Sequence, residues 1–222
     1  MTKKAKKKTV KRLVTKPAVA GLYAITPDLA DTSELLRKVR LALEGGARTL
    51  QYRNKIADTA LQFQQAQALR QLTREFDTTL IVNDDVALAV QIDADGVHLG
   101  GEDGSVIAAR ALLGESKILG VSCYNLAPLG LAAVQQGADY VAFGAFFTSS
   151  VKPEAVKAEM SMLRAARGEI RVPIVAIGGI THQNGTELVQ AGADALAVIS
   201  ALWDAPDIKA SAQQFSTLFS RT

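Results

Sequence analysis

Eight short apolar segments follow one another along this chain at a spacing of about 25 residues, each separated from the next by an amphipathic stretch. They are Leu22–Thr26, Thr49–Arg53, Leu80–Asn83, Gly96–Leu99, Lys117–Ser122, Tyr140–Gly144, Ile174–Ile177 and Ala195–Ile199. Most are apolar throughout instead of alternating with polar residues, the pattern of strands buried on both faces and therefore paired in parallel. The intervening stretches predict helices, most clearly over Thr32–Glu44, Ala57–Phe76, Leu126–Gln136 and Thr186–Ala191. Gly46-Ala47, Gly137-Ala138 and Gly192-Ala193, with Asp93-Ala94-Asp95 as a variant, mark points where a helix ends in a left-handed cap and a strand begins. Eight β-then-α units without a break in composition predict an α/β fold, a single (β/α)8 TIM barrel, in preference to a six-stranded open sheet. The 222 residues suit such a barrel, which needs about 200 to 250.

Charge divides the chain into two parts. Residues 1–17 hold eight Lys or Arg and no acid, so the net +3 of the whole leaves −5 on residues 18–222. The Lys-rich tail offers a contact for nucleic acid, but no aromatic residue interleaves with its lysines, which favours a solvated, disordered extension. The expected organisation is a tail over 1–17 and a catalytic barrel over 18–222. Apolar runs such as Val172–Ile180 are far shorter than the roughly 20 residues of a membrane-spanning helix. Cys123 is the only cysteine, which excludes an intrachain disulfide and predicts a cytoplasmic location.

In a barrel of this kind the chemistry sits where the strands end, so polar residues just after each apolar run are the candidates. Gln51, Arg53, Asn54 and Lys55 follow the second run, with Gln51 and Arg53 on one strand face and Lys55 next on the same side. An amide beside two cations suits an anionic substrate such as a phosphate. Asn83, Asp84 and Asp85 follow the third run, and Gly100, Gly101, Glu102 and Asp103 the fourth. Asp84 and Asp103 are the candidate ligands for Mg2+, a cation that takes one or two carboxylates together with substrate phosphate oxygens. Asp85 and Glu102 fit local roles such as helix capping better.

Gly178-Gly179 after the seventh run, and Ile199-Ser200-Ala201 after the eighth, stand where barrels commonly bind phosphate through backbone N–H groups. Two phosphate-binding regions in one mouth imply two phosphorylated substrates. His98, inside an apolar run, reads as a satisfied core residue, His182 as a surface residue and Cys123 as an inert thiol; none is assigned a catalytic role.

Together these residues resemble the thiamine-phosphate synthase family along nearly all of residues 21–204. The motifs are Gln51-Tyr52-Arg53-Asn54-Lys55, Val82-Asn83-Asp84-Asp85 and the run from Ala94 to Asp103. They continue with Gly120-Val121-Ser122, the run from Gly137 to Val141, the run from Pro173 to Ile180, and Val198-Ile199-Ser200-Ala201. The resemblance implies a transferase of thiamine biosynthesis that joins hydroxymethylpyrimidine diphosphate to thiazole phosphate, releasing diphosphate and forming thiamine phosphate. It implies that Gln51, Arg53, Lys55 and Asn83 contact the pyrimidine diphosphate and that Asp84 and Asp103 hold Mg2+. It further implies that Ser122 and Lys152 complete the diphosphate site, and that Gly179, Ile199 and Ser200 hold the thiazole phosphate. Arg53, Lys55, Ser122 and Lys152 are the catalytic set by this reading.

The loop after the sixth run departs from the family pattern, which reads Gly-Pro-hydrophobic-aromatic-Pro-Thr-x-Thr-Lys. Here both prolines are absent, Ser149 replaces the first threonine and Val151 the second. Ser149 keeps a hydroxyl for substrate, Val151 does not, and Lys152 keeps the charge. The rival readings are a thiazole tautomerase, which would need an acid/base residue and no diphosphate–metal cluster, and a non-catalytic phosphate-ligand sensor. The expected partners are the two small-molecule substrates, with a homo-oligomer open to such a barrel, and neither a membrane nor nucleic acid.

Overall fold

A computed structural model describes residues 19–101, 104–148 and 156–220. The tail over 1–17 therefore lies outside the described residues, as do Glu102, Asp103, Ser149, Val151 and Lys152. Eight parallel strands close on themselves in sequence order: β1 (Gly21–Ile25), β2 (Thr49–Tyr52), β3 (Thr79–Asn83), β4 (Gly96–Leu99), β5 (Ile118–Ser122), β6 (Tyr140–Phe143), β7 (Ile174–Ile177) and β8 (Ala195–Val198). The closing pair sets Gly21 beside Ala195 and Ala24 beside Val198. The predicted (β/α)8 barrel is thus the observed fold.

The helices alternate with the strands: α1 (Thr32–Glu44), α2 (Thr59–Glu75), α3 (Val86–Gln91), α4 (Val106–Leu113), α5 (Ala127–Gln135), α6 (Met160–Glu169) and α7 (Gly185–Gln190). After β8 come the short α8 (Ser200–Trp203) and the final α9 (Ile208–Thr217). Their starts are written in the sequence. Asp31, Asp58, Asp85, Ser105 and Asp207 each accept a backbone N–H from the first turn of their helix. Asp85 is accordingly a cap, as expected. None of the described helices is long and apolar enough to cross a membrane.

Strand alternation sorts the core into two layers. Leu22, Leu50, Leu80, Val97 and Leu119 face outward and pack beneath the helices. Tyr23, Ile25, Ile81, Ile118, Tyr140 and Val175 face inward and fill the barrel. Tyr140 needs room, and β5 supplies it with Gly120: a Cβ there would stand 2.0 Å from the Tyr140 ring.

The base of the barrel is held by a clasp used three times. Asp95 ahead of β4 pairs with Arg70 of α2 at 2.8 Å and also accepts the Leu80 N–H of β3 at 2.8 Å. Asp139 ahead of β6 does the same with Arg110 of α4 and Leu119 of β5. Asp194 ahead of β8 repeats it with Arg167 of α6 and Ile174 of β7. One carboxylate thereby ties a helix and two strands and satisfies a buried donor. The fourth position, ahead of β2, holds Arg48 in place of an Asp. The residues that lead into these strands, Gly46, Asp93, Gly137 and Gly192, all have positive φ, so the Gly-Ala repeats and their Asp93 variant are the structural caps that their pattern predicts.

Candidate active site

A cavity of about 770 Å3 opens at the C-terminal ends of the strands, the side where a barrel of this kind carries its chemistry. Among its lining residues are Gln51, Arg53, Asn83, Ser122, Gly179, Ile199 and Ser200. A second cavity of about 310 Å3 adjoins it, lined by Arg53, Asn54, Lys55, Asn83, Asp84 and Asp85 among others. Arg53 and Asn83 line both, so these two residues border each space.

The loop after β2 places its polar residues by specific bonds. The Arg53 amide donates to the Thr26 hydroxyl at 2.9 Å, and that hydroxyl donates to the Arg53 carbonyl at 2.7 Å. The Arg53 guanidinium donates to both carboxylate oxygens of Asp28, at 3.2 and 3.3 Å. Asp28 also accepts the Lys55 amide at 2.8 Å. The Lys55 side chain is exposed and borders the second cavity. Asn54 turns the other way: buried, it donates to the Leu29 carbonyl at 2.6 Å and to Gln65 of α2 at 2.9 Å, so its part is to hold the loop.

Asp84 has φ of 64°, a left-handed conformation that Asp tolerates better than most side chains. Its amide donates to the His98 carbonyl at 2.8 Å, and its carboxylate accepts Asn83 Nδ2 at 2.6 Å. An oxygen donor bordering a space with Arg53 and Lys55 fits a magnesium ion shared with phosphate oxygens. The described residues contain no cluster of three or more metal-ligating side chains, and Asp103 lies outside them.

Across the mouth, Gly178 and Gly179 have φ of 101° and 62°. A Cβ on Gly178 would stand 2.4 Å from the Ala145 Cβ, and one on Gly179 2.4 Å from the Thr148 carbonyl oxygen. Only glycine lets this loop lie against the segment after β6. Beside it, Ile199 precedes α8 and Ser200 opens it. Leu202 and Trp203 donate their N–H groups to the Ile199 carbonyl, so the amides that this first turn offers to an anion are those of Ser200 and Ala201.

Sequence reasoning missed the polar floor of the larger cavity. Gln51 Nε2 donates to the Tyr23 hydroxyl at 2.9 Å, Tyr23 meets the Tyr140 hydroxyl at 2.8 Å, Tyr140 meets His98 Nδ1 at 2.9 Å, and His98 Nε2 meets Ser122 Oγ at 2.8 Å. Burial pushes the ionisation of both phenols well above the ordinary tyrosine range. His98 is satisfied within the barrel as expected, yet it also borders the cavity. His182 is half-buried against Phe215, less a surface residue than its loop suggested. Burial pushes the Cys123 thiol up to about 12, in keeping with an inert thiol.

A family model described as thiamine monophosphate synthase matches residues 22–202. The thiamine-phosphate synthase of Methylobacillus flagellatus is 56% identical, over 91% of this chain and 97% of its own. That of Nitrosospira multiformis is 52% identical, over 91% of this chain and 87% of its own. The solved structure of thiamine phosphate pyrophosphorylase from Pyrococcus furiosus superposes with a TM-score of 0.80 at 36% identity, covering 90% of this chain and 95% of its own. The barrel, the cation-lined mouth and these relatives agree: the chain belongs to the thiamine-phosphate synthase family, transferases of thiamine biosynthesis.

Proposed function

We propose that the two neighbouring cavities receive hydroxymethylpyrimidine diphosphate and thiazole phosphate and that diphosphate departs beside Arg53 and Asn83, the residues that line both. The observation that carries this reading is Arg53, one guanidinium lining both spaces, with Lys55 beyond it and Gln51 beneath. The pyrimidine fits the larger, mostly uncharged space, and its diphosphate reaches the smaller one.

The bond between the pyrimidine methylene carbon and the diphosphate oxygen breaks, and the thiazole nitrogen supplies the electron pair for the new carbon–nitrogen bond. The protein's task is to neutralise the leaving group and align the partners. Arg53 and Lys55 carry the positive charge, Asn83 and Gln51 orient the pyrimidine diphosphate, and Ser122 donates from β5. Ser149 and Lys152 are assigned to the same diphosphate by their place in the loop motif alone. The backbone amides around Gly179, Ile199 and Ser200 hold the thiazole phosphate. Asp84 and Asp103 would hold Mg2+, which when bound supplies further positive charge to the diphosphate. The buried, unpaired thiol of Cys123 is consistent with a reducing cytoplasmic location.

The test is diphosphate release on mixing the protein with both substrates, with and without Mg2+. Release that needs all three, with thiamine phosphate formed, is the expected result. Binding of thiazole phosphate without release would overturn the reading.

A further inference from the structure

The chain of hydrogen bonds through the barrel interior has a direction, and its direction decides what Ser122 can do. Five side chains from five strands take part: Gln51 on β2, Tyr23 on β1, Tyr140 on β6, His98 on β4 and Ser122 on β5. All but Ser122 are buried. The Gln51 amide nitrogen can only donate, so the Tyr23 oxygen accepts from it. Tyr23, neutral and holding one proton, then donates to Tyr140, and Tyr140 has only His98 Nδ1 left to donate to. An accepting Nδ1 carries no proton, so His98 is neutral with its proton on Nε2, and Nε2 donates to Ser122 Oγ. The hydroxyl proton of Ser122 has no place in that bond and turns to the cavity that Ser122 lines.

We propose that Tyr23, Tyr140 and His98 are positioning residues, a relay that passes the orientation of the Gln51 amide to Ser122 and fixes its hydroxyl as a donor toward an anionic oxygen of the substrate. Turning the Gln51 amide over reverses every bond: Ser122 would then donate to His98 and present only lone pairs to the phosphate. Gln51 Oε1 is the other end of the switch. A heterocycle that donates a hydrogen bond to Oε1 holds the amide in the productive sense, so recognition of the ring at β2 is felt at the leaving group beside β5. This deepens the reading of the site given above and rests on it for the identity of the anion.

The direction is measurable without substrate. In the full chain labelled with 15N-histidine, His98, assigned by its loss in His98→Gln, is expected as a neutral imidazole protonated on Nε2. In Tyr140→Phe, which keeps the ring and removes the donor to Nδ1, that single tautomer is expected to give way to a mixture; Tyr23→Phe should weaken it through one more bond. In steady-state kinetics Tyr140→Phe is expected to lower kcat by about tenfold with little change in KM, the loss of one oriented hydrogen bond. His98→Gln, whose amide can still donate to Ser122, is expected to retain more turnover than His98→Asn. A wild-type His98 protonated on Nδ1, a tautomer indifferent to both tyrosine variants, or equal turnover in the Gln and Asn variants would overturn the relay. Absence of diphosphate release by the wild type would overturn the function while leaving the NMR result standing, so the two failures are distinguishable.

Discussion

Thr26 and Arg53 exchange two hydrogen bonds, the hydroxyl donating to the Arg53 carbonyl at 2.7 Å and accepting its amide at 2.9 Å. This couples the end of β1 to the residue that lines both cavities. Thr26→Val keeps the shape and removes both bonds, leaving two backbone groups beside a fully buried side chain without partners. A stability loss of about 2 kcal/mol is expected. KM for the pyrimidine diphosphate should rise, because the Arg53 backbone is no longer pinned. Urea unfolding and initial rates check the two effects; an unchanged KM would contradict the coupling.

Asp84→Asn should abolish most of the Mg2+-dependent rate without unfolding the barrel. Asn accepts the same left-handed backbone and keeps an oxygen, but it loses the charge that a divalent cation requires. Mg2+ titrations of the two proteins, with chelation of the metal as a control, give the comparison. Equal metal dependence would remove Asp84 from the ligand set.

Gly179→Ala puts a Cβ 2.4 Å from the Thr148 carbonyl oxygen at a φ of 62°. Strain of about 1–3 kcal/mol would push the loop away from its place. The expected kinetic effect falls on the thiazole phosphate, whose KM should rise more than that of the other substrate. A larger effect on the pyrimidine diphosphate would argue against this half of the site.

At the base of the barrel, Asp139→Ala would leave the Leu119 amide without its acceptor and the Arg110 guanidinium, only 11% exposed, without its counter-charge, held by the Gly114, Lys117 and Gly137 carbonyls alone. A loss of about 3 kcal/mol in unfolding free energy is expected, with KM unchanged for both substrates. A shifted KM would mean that the base and the mouth are energetically linked.

Alkali should destabilise the fold before it affects charge pairing. Burial raises the ionisation of Cys123 from 9.0 to about 12 and pushes Tyr23 and Tyr140 above their ordinary 10.0. A group whose folded value is raised gives its full contribution below the unfolded value and loses it as pH climbs toward the folded one. Stability is therefore expected to fall from pH 9 upward, each group adding up to about 1.4 kcal/mol per pH unit. Urea midpoints on the alkaline side give the slope, and Cys123→Ala should make it shallower. A flat profile would contradict the burial of these groups.

The periodic features of the fold were legible in the sequence. The helix over Thr32–Glu44 is found where its pattern puts it, because the Asp31 cap and the inward stripe of Leu35, Val39, Ala42 and Leu43 agree. Strand ends were less so. β2 stops at Tyr52, one residue before the apolar-and-cation run suggests, because the Arg53 backbone turns to the Thr26 side chain. β8 stops at Val198 because Ile199 introduces α8. In the mouth, local motifs led to Gln51, Arg53, Lys55, Asn83, Asp84 and Ser122, which the structure gathers at the two cavities. Asp28 follows the end of the first strand and could have been found by the same search for polar residues after apolar runs. Tyr23 and Tyr140 could not: each lies in an apolar strand and reads as core, and their hydroxyls, 117 residues apart in sequence, meet only because the barrel closes.

The three Arg–Asp clasps also give the barrel a grain. Each binds one helix and two consecutive strands into a quarter, and the quarter that contains β1 and β2 has Arg48 where the others have their carboxylate. Register is thus secured from below, quarter by quarter, by groups that the mouth does not use. The mouth loops can drift in sequence, as the segment after β6 has done, without unsettling the frame. It also marks where the polypeptide could be cut and rejoined: new termini between β6 and α6 would leave every clasp inside one covalent piece.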